Sequence, residues 1–335
     1  MRPDNLVRLT VLIAAVILAF SVSPIASGDP ESASATGRLD HIDKVSDTRW
    51  EVDVYSPSMD KVIPLQVLRP ADTSQPRPTL YLLNGAGAGE DGANWLRQTD
   101  IASFFADKNV NVVIPTGGYL SYYTDWRHDD PVLGRNKWQT FMTKELPSVV
   151  DSALGTNGVS AIGGLSMSGG SVLDFAVQAP GLYTAVASFS GCAKTSDPIG
   201  QNVVRAIVEG VGRGNTVNMW GPVGDPEWIR HDPYINADRL RGVAIFVYSG
   251  SGVPGPYEAL DAKKPPDAPP LPDQIVVGGG IEAASNFCSH LFADRLAALG
   301  IPATFDFRPA GTHSWLYWQD ALRSSWTVLG PALGE

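Results

Sequence analysis

Eight residues, Gly163-Gly164-Leu165-Ser166-Met167-Ser168-Gly169-Gly170, restrict the fold more than any other part of this 335-residue chain. The run Val159-Ser160-Ala161-Ile162 before them reads as a short buried strand, and residues 171–178 after them have the small and apolar spacing of a packed helix. Small residues on both sides of Ser166 let strand and helix approach closely across a tight turn. A serine there projects its hydroxyl into a cleft, beside the unpaired N–H groups of a helix start. The spacing is that of a nucleophile elbow, with Ser168 where glycine is usual; a plain helix N-cap is the other use of such a serine. The elbow reading therefore requires a base and an acid elsewhere in the chain.

Apolar runs near 50–56, 61–68, 79–83, 110–115, 159–163, 184–190, 243–249 and 303–307 predict strands. Helical patterns fall near 97–107, 137–153, 169–179, 199–210, 281–299 and 315–328. Two early strands followed by strand–helix alternation predict an α/β fold with a mostly parallel central sheet and helices on both faces. Together with the elbow this is the α/β-hydrolase arrangement. Lys263-Lys264-Pro265-Pro266 and Pro269-Pro270-Leu271-Pro272 can continue neither a helix nor a central strand, so residues 252–280 read as a Pro-rich surface excursion closed by Gly278-Gly279-Gly280. One domain over residues 48–330 accounts for the pattern.

At the N-terminus, Arg2 and Arg8 precede an apolar stretch from Leu9 to Val22, and Ala26 and Ser27 follow. Residues 1–27 read as a signal peptide, and the small and polar residues 28–47 as a flexible segment. The protein is then secreted or held in the cell envelope. With 25 Lys and Arg against 35 Asp and Glu the net charge is −10, which argues against nucleic acid as a partner. Cys192 and Cys288 are the only cysteines and have no metal-site spacing, so no metal and no cofactor is expected. In an exported chain they suit a single disulfide; two buried thiols fit the sequence equally well.

In hydrolases of this class the order along the chain is serine, acid, histidine. Of His41, His128, His231, His290 and His313, only the last two come late enough. His290 falls inside a helix. His313 lies in a loop between the last strand and the last helix, where a ring can reach across a cleft. Glu258, Asp261, Asp267, Asp273 and Glu282 are all eligible acids by order. Glu282 opens the predicted 281–299 helix and so has a fixed position, whereas the others lie in the excursion.

Further motifs bring a resemblance into view. Gly164-Leu165-Ser166-Met167, Ile114-Pro115-Thr116-Gly117-Gly118, Tyr122-Tyr123-Thr124-Asp125-Trp126, Lys137-Trp138-Gln139-Thr140-Phe141, Met219-Trp220-Gly221-Pro222 with Asp225-Pro226-Glu227-Trp228, and Gly311-Thr312-His313-Ser314-Trp315-Leu316-Tyr317-Trp318 occur in order. From about residue 48 to 328 the chain resembles the secreted mycolyltransferases of mycolic-acid-making actinobacteria, the antigen 85 group. The resemblance implies Ser166 as nucleophile, His313 as base and Glu282 as acid, with an oxyanion hole from the backbone N–H groups of Ala86 and Met167. It implies transfer of a long acyl chain from a trehalose mycolate-type glycolipid to a sugar acceptor, trehalose or cell-wall arabinogalactan, at the cell-wall surface.

The chain departs from that group in lacking the usual cysteines in the loop before Lys137-Trp138, and at three single positions. Asn84 stands where an Asp is usual and Gly87 where an Arg is usual, both associated with trehalose binding, and Leu316 replaces an acid. The resemblance thus carries acyl transfer further than it carries the identity of the acceptor, since glycine cannot replace a bidentate arginine contact. Asn84 and Trp315 remain candidate substrate contacts, the latter by stacking on a sugar ring, with core packing as its alternative. Apolar positions between Val203 and Val211 are candidates for an acyl groove or for ordinary helix packing. Three readings follow: the transferase, a secreted carboxylesterase acting on similar esters, and a non-catalytic cell-wall-binding member of the fold.

Overall fold

A computed structural model describes residues 36–266 and 268–335. The proposed signal peptide, residues 28–35 of the proposed flexible segment, and Asp267 lie outside the described residues. Nine strands form one sheet: β1 (Arg38–Lys44), β2 (Arg49–Ser56), β3 (Lys61–Leu68), β4 (Arg77–Leu83), β5 (Asn111–Pro115), β6 (Thr156–Leu165), β7 (Ala185–Phe189), β8 (Ala244–Ser249) and β9 (Thr304–Phe307). Their spatial order is β1-β2-β3-β5-β4-β6-β7-β8-β9. The pairs among β1, β2, β3 and β5 are antiparallel, and every pair from β5 to β9 is parallel. This is the α/β-hydrolase arrangement expected from the sequence.

The middle strands are apolar on both faces because both faces are covered. Tyr81, Leu83, Val113, Ile162, Val186 and Val247 point into a core shared with the helix after the elbow, which supplies Val172, Leu173 and Phe175. Their neighbours Leu80, Leu82, Val112, Ala161, Ala187, Phe246 and Tyr248 point to the opposite core, closed by the last helix, Trp315–Leu333, through Trp318, Leu322 and Leu329. Strand alternation thus separates two cores, and the parallel strands' carboxyl ends open into the crevice where ligands bind in such sheets.

Three expectations need correction. Residues 38–44 are not part of a flexible segment: they form β1, paired along its length with β2, so the folded unit begins before residue 48. This edge strand is exposed on both faces apart from a half-buried Ile42 and therefore carries no alternation to read. Gly278-Gly279-Gly280 does not close the excursion either. Leu271–Asp273, a π-type turn at Gln274–Gly278 and Gly279–Ala298 follow one another as helix, so Glu282 stands well inside a helical run. Finally, the last helix runs on to Leu333, three residues past the expected domain end.

Candidate active site

Ser166 directly follows β6 with φ 56° and ψ −122°, a strained conformation for a residue bearing a side chain. Two backbone bonds hold it there, Ser166 N–H to Phe189 O at 2.8 Å and Gly169 N–H to Ser166 O at 3.0 Å. Ser168 is fully buried: its hydroxyl accepts from Leu165 N–H at 2.9 Å and lies 3.0 Å from Leu165 O, tying the turn to itself. A Cβ on Gly164 would stand 2.7 Å from both the oxygen and the Oγ of Ser168, which is why the position before Leu165 has no side chain. Behind the helix Met167–Gln178, Gly169 and Gly170 meet the backbone of Gly191 and Cys192, again at distances no Cβ tolerates.

His313 comes from the loop between β9 and the last helix. Its Nε2 lies 2.8 Å from Ser166 Oγ and its Nδ1 2.8 Å from Glu282 Oε2. A carboxylate only accepts, so Nδ1 carries the proton and Nε2 is left to accept from the serine hydroxyl. The loop is docked by His313 N–H to Gly278 O at 3.2 Å, and the ring stands edge-on to Trp318, 4.8 Å between centroids.

Glu282 is fully buried. Its second oxygen, Oε1, accepts from Ser190 Oγ at 2.8 Å, Gly250 N–H at 2.7 Å and Ser249 Oγ at 3.1 Å. Trp318 Nε1 in turn donates to Ser190 Oγ at 2.9 Å. The donors come from the ends of β7 and β8 and leave Oε2 free to face the imidazole. Burial, with the Glu282 charge close by, pushes the neighbouring Tyr248 phenol far up, so it stays protonated. Ser190, Ser249 and Gly250 were not among the residues singled out from the sequence; only their place at strand ends marks them.

Met167 is the first residue of the elbow helix, so its N–H has no acceptor within the helix. The loop after β4 reaches the same spot: a Cβ on Gly85 would lie 3.4 Å from Ser166 Cβ. The next residue, Ala86, is held by Leu120 N–H to its carbonyl at 2.9 Å. Asn84, expected as a substrate contact, is turned inward instead. It is fully buried beneath this loop, with Nδ2 donating to Pro115 O and Oδ1 accepting from Trp95 N–H, both at 3.3 Å. The loop folds back over its own polar residue, and the amide satisfies backbone groups that would otherwise be buried unpaired. At Gly87 a Cβ would fall 2.1 Å from the Asp91 carboxylate, so no longer side chain fits without moving it.

Beside His313 opens a cavity of about 550 Å³, lined among others by Asp91, Tyr257, Lys264, Gln274, Val277 and Trp315. The Pro-rich excursion forms much of its wall. Trp315 is half-buried, packed edge-on against Trp95 and Trp318, and also reaches the cavity, so packing and exposure to a ligand coexist in one ring. The 203–211 segment buries Val204 and Val208 against Trp126, Met219, Trp220 and Trp228 while Val203 and Val211 are exposed. Among the eligible acids, Asp261 and Asp273 are exposed, but Glu258 is buried and hydrogen-bonded.

Cys192 and Cys288 form a disulfide with Cα atoms 5.2 Å apart. It joins the backbone behind the elbow helix to the helix that carries Glu282. Away from this site, His231 Nδ1 lies 2.7 Å from Asp174, and His290 stacks on Phe307 at the surface. Among the described residues no group of three or more His, Cys, Asp and Glu is arranged to hold a metal ion.

Residues 56–326 match the model of the putative esterase family. Diacylglycerol acyltransferase/mycolyltransferase Ag85A of Mycobacterium leprae is 33% identical over 293 residues, covering 84% of this chain and 83% of that protein. Its counterpart Ag85B of Mycobacterium intracellulare is 34% identical over 269 residues, covering 77% and 76%. Among solved structures, MPT51 (FbpC1) of Mycobacterium tuberculosis superposes with a TM-score of 0.69 at 25% identity, over 83% of this chain and 96% of that one. FphF, a fluorophosphonate-binding serine hydrolase of Staphylococcus aureus, shares the fold with a TM-score of 0.62 at 18% identity, over 87% and 98%.

Proposed function

Because the chain belongs to the putative esterase family, and within it is a relative of the Ag85 mycolyltransferases, we propose that it is a serine acyltransferase. It moves a long, mycolyl-type acyl chain from a trehalose ester to a sugar acceptor in the cell envelope. The observation that carries this reading is the continuous path Ser166–His313–Glu282, two contacts of 2.8 Å, on a strained elbow.

In the proposed cycle His313 Nε2 takes the proton of Ser166 Oγ as that oxygen attacks the ester carbonyl, while Glu282 stabilises the imidazolium. The N–H groups of Met167 and Ala86 bind the oxyanion; one such donor is worth about 3–4 kcal/mol in the transition state. The C–O bond to trehalose breaks, His313 returns the proton to the leaving sugar oxygen, and the acyl group remains on Ser166. An acceptor hydroxyl then gives its proton to His313 and attacks the acyl-enzyme carbonyl; the bond to Ser166 Oγ breaks, Oγ takes the proton back from His313 Nε2, and the new ester leaves. Both alcohols must pass within reach of Nε2. The cavity beside His313, with an indole face, carboxylates, amides and a lysine, is where we place them.

The site of action is proposed as the envelope or outside the cell. A disulfide suits an oxidising compartment, and residues 1–27 have the pattern of an export signal. Gly87 and the inward-turned Asn84 favour one second reading, a carboxylesterase in which water takes the acceptor's place. Product analysis decides between them. Incubation with a trehalose monoester and several sugars should give a new glycolipid with wild type and none with Ser166→Ala. Free acid alone at every acceptor concentration would leave the esterase. Fluorophosphonate labelling equal in wild type and Ser166→Ala would leave a binding protein.

A further inference from the structure

Besides Glu282, a second carboxylate near His313 is buried and takes no part in the cycle above: Glu258, 5% exposed. It ends the short turn Pro256–Glu258 in the Pro-rich excursion. Its Oε1 accepts from Thr312 Oγ1 at 2.7 Å, and its Oε2 from Tyr317 OH at 2.6 Å and Gly255 N–H at 2.8 Å. None of these donors is a cation. Removing a carboxylate from water without a counter-ion is costly unless well-aligned donors replace the lost hydration.

The three donors belong to the three segments that meet at the histidine. Thr312 immediately precedes His313, Tyr317 lies in the first turn of the last helix, and Gly255 follows β8. Gly311 N–H to Val253 O at 2.8 Å and Gly252 N–H to Gly311 O at 2.9 Å lace the same two loops together. A Cβ on Gly255 would sit 2.5 Å from the Tyr317 hydroxyl, so the junction is close-packed.

We propose that Glu258 is a positioning residue for the base: it fixes Thr312 and, through the peptide joining Thr312 to His313, sets the imidazole against Ser166 and Glu282. The inference rests on Ser166 and His313 being the reacting pair. A shift of about 1 Å in such a pair costs on the order of 100-fold in rate.

The test measures the rate of fluorophosphonate labelling, and kcat and KM on a p-nitrophenyl ester, for wild type and five variants: Ser166→Ala, Glu258→Gln, Thr312→Val, the double variant Glu258→Gln with Thr312→Val, and Asp320→Ala. The last cuts the exposed 2.6 Å bond from Tyr257 and spares the histidine loop. Glu258→Gln and Thr312→Val should each lower labelling rate and kcat about 10–100-fold at unchanged KM, and the double variant should be no slower than the slower single. Asp320→Ala should stay within about twofold of wild type, whatever it does to Tm. Wild-type rates in both Glu258→Gln and Thr312→Val, with any loss confined to Tm, would overturn the proposal; if Glu258→Gln does not fold, the near-isosteric Thr312→Val decides. Labelling that survives in Ser166→Ala would instead overturn the reacting pair, and the positioning role with it.

Discussion

Glu282→Gln is the substitution whose outcome the structure specifies most fully. In one amide orientation the carbonyl stays on the Ser190, Ser249 and Gly250 donors and the NH2 faces His313. The imidazole must then accept at Nδ1, which moves its proton to Nε2, the atom that has to take the proton of Ser166. In the other orientation the carbonyl accepts from Nδ1–H, and the NH2 faces Gly250 N–H across the present 2.7 Å contact. Two donors cannot satisfy each other, and Ser190 is already engaged by Trp318 at 2.9 Å. That arrangement leaves a buried N–H unpaired at about 1–3 kcal/mol, so the first orientation prevails. A base held in the wrong tautomer loses about 10⁴-fold in kcat, ~5.5 kcal/mol of barrier. Stopped-flow hydrolysis of a p-nitrophenyl ester, with KM fitted separately and folding checked by near-UV circular dichroism, measures this. A folded variant within tenfold of wild type would refute the assignment of Glu282 as the orienting acid.

Three other outcomes are expected. Gly164→Ala, whose methyl would meet Ser168 at 2.7 Å, should destabilise the fold by about 1–3 kcal/mol in urea melts and slow fluorophosphonate labelling; an unchanged midpoint would contradict it. Reduction of Cys192–Cys288, which closes a loop of 96 positions, should cost about 4–5 kcal/mol by chain entropy, read as a lower urea midpoint with reductant. Trp315→Ala should raise KM for a sugar acceptor about tenfold while labelling of Ser166 changes little, because the ring lines the cavity whereas the hydroxyl is bonded to His313; equal effects on both would remove its role in acceptor binding.

What could be read from the sequence follows from where the physics is local. The elbow needs small residues at 163–164 and 168–170, and those stand out in any reading. His313 is found by elimination among five histidines, because its loop placement is a consequence of chain order. The acid is different. Five carboxylates satisfy the order, and the one beside His313 is reached from inside a helix whose start lies eleven residues upstream of it, behind prolines and glycines that read as a break. The same prolines hid Glu258, since a segment with no periodicity shows nothing of which side chain turns inward. β1 left no trace because an edge exposed on both faces is under no pressure to alternate. Asn84 stands where the resembling family has a trehalose-associated Asp, and a match of motifs gives no sign that the loop closes over the side chain.

The covalent bond between Cys192 and Cys288 encloses β8, the proline-rich wall of the cavity, Glu258 and Glu282 within a single macrocycle. Exchange of that wall for one of another length or composition would therefore leave the two anchoring ends in place. A protein engineer wishing to change which alcohol is served could graft new walls between residues 259 and 273 with both carboxylates still tethered to the nucleophile's scaffold.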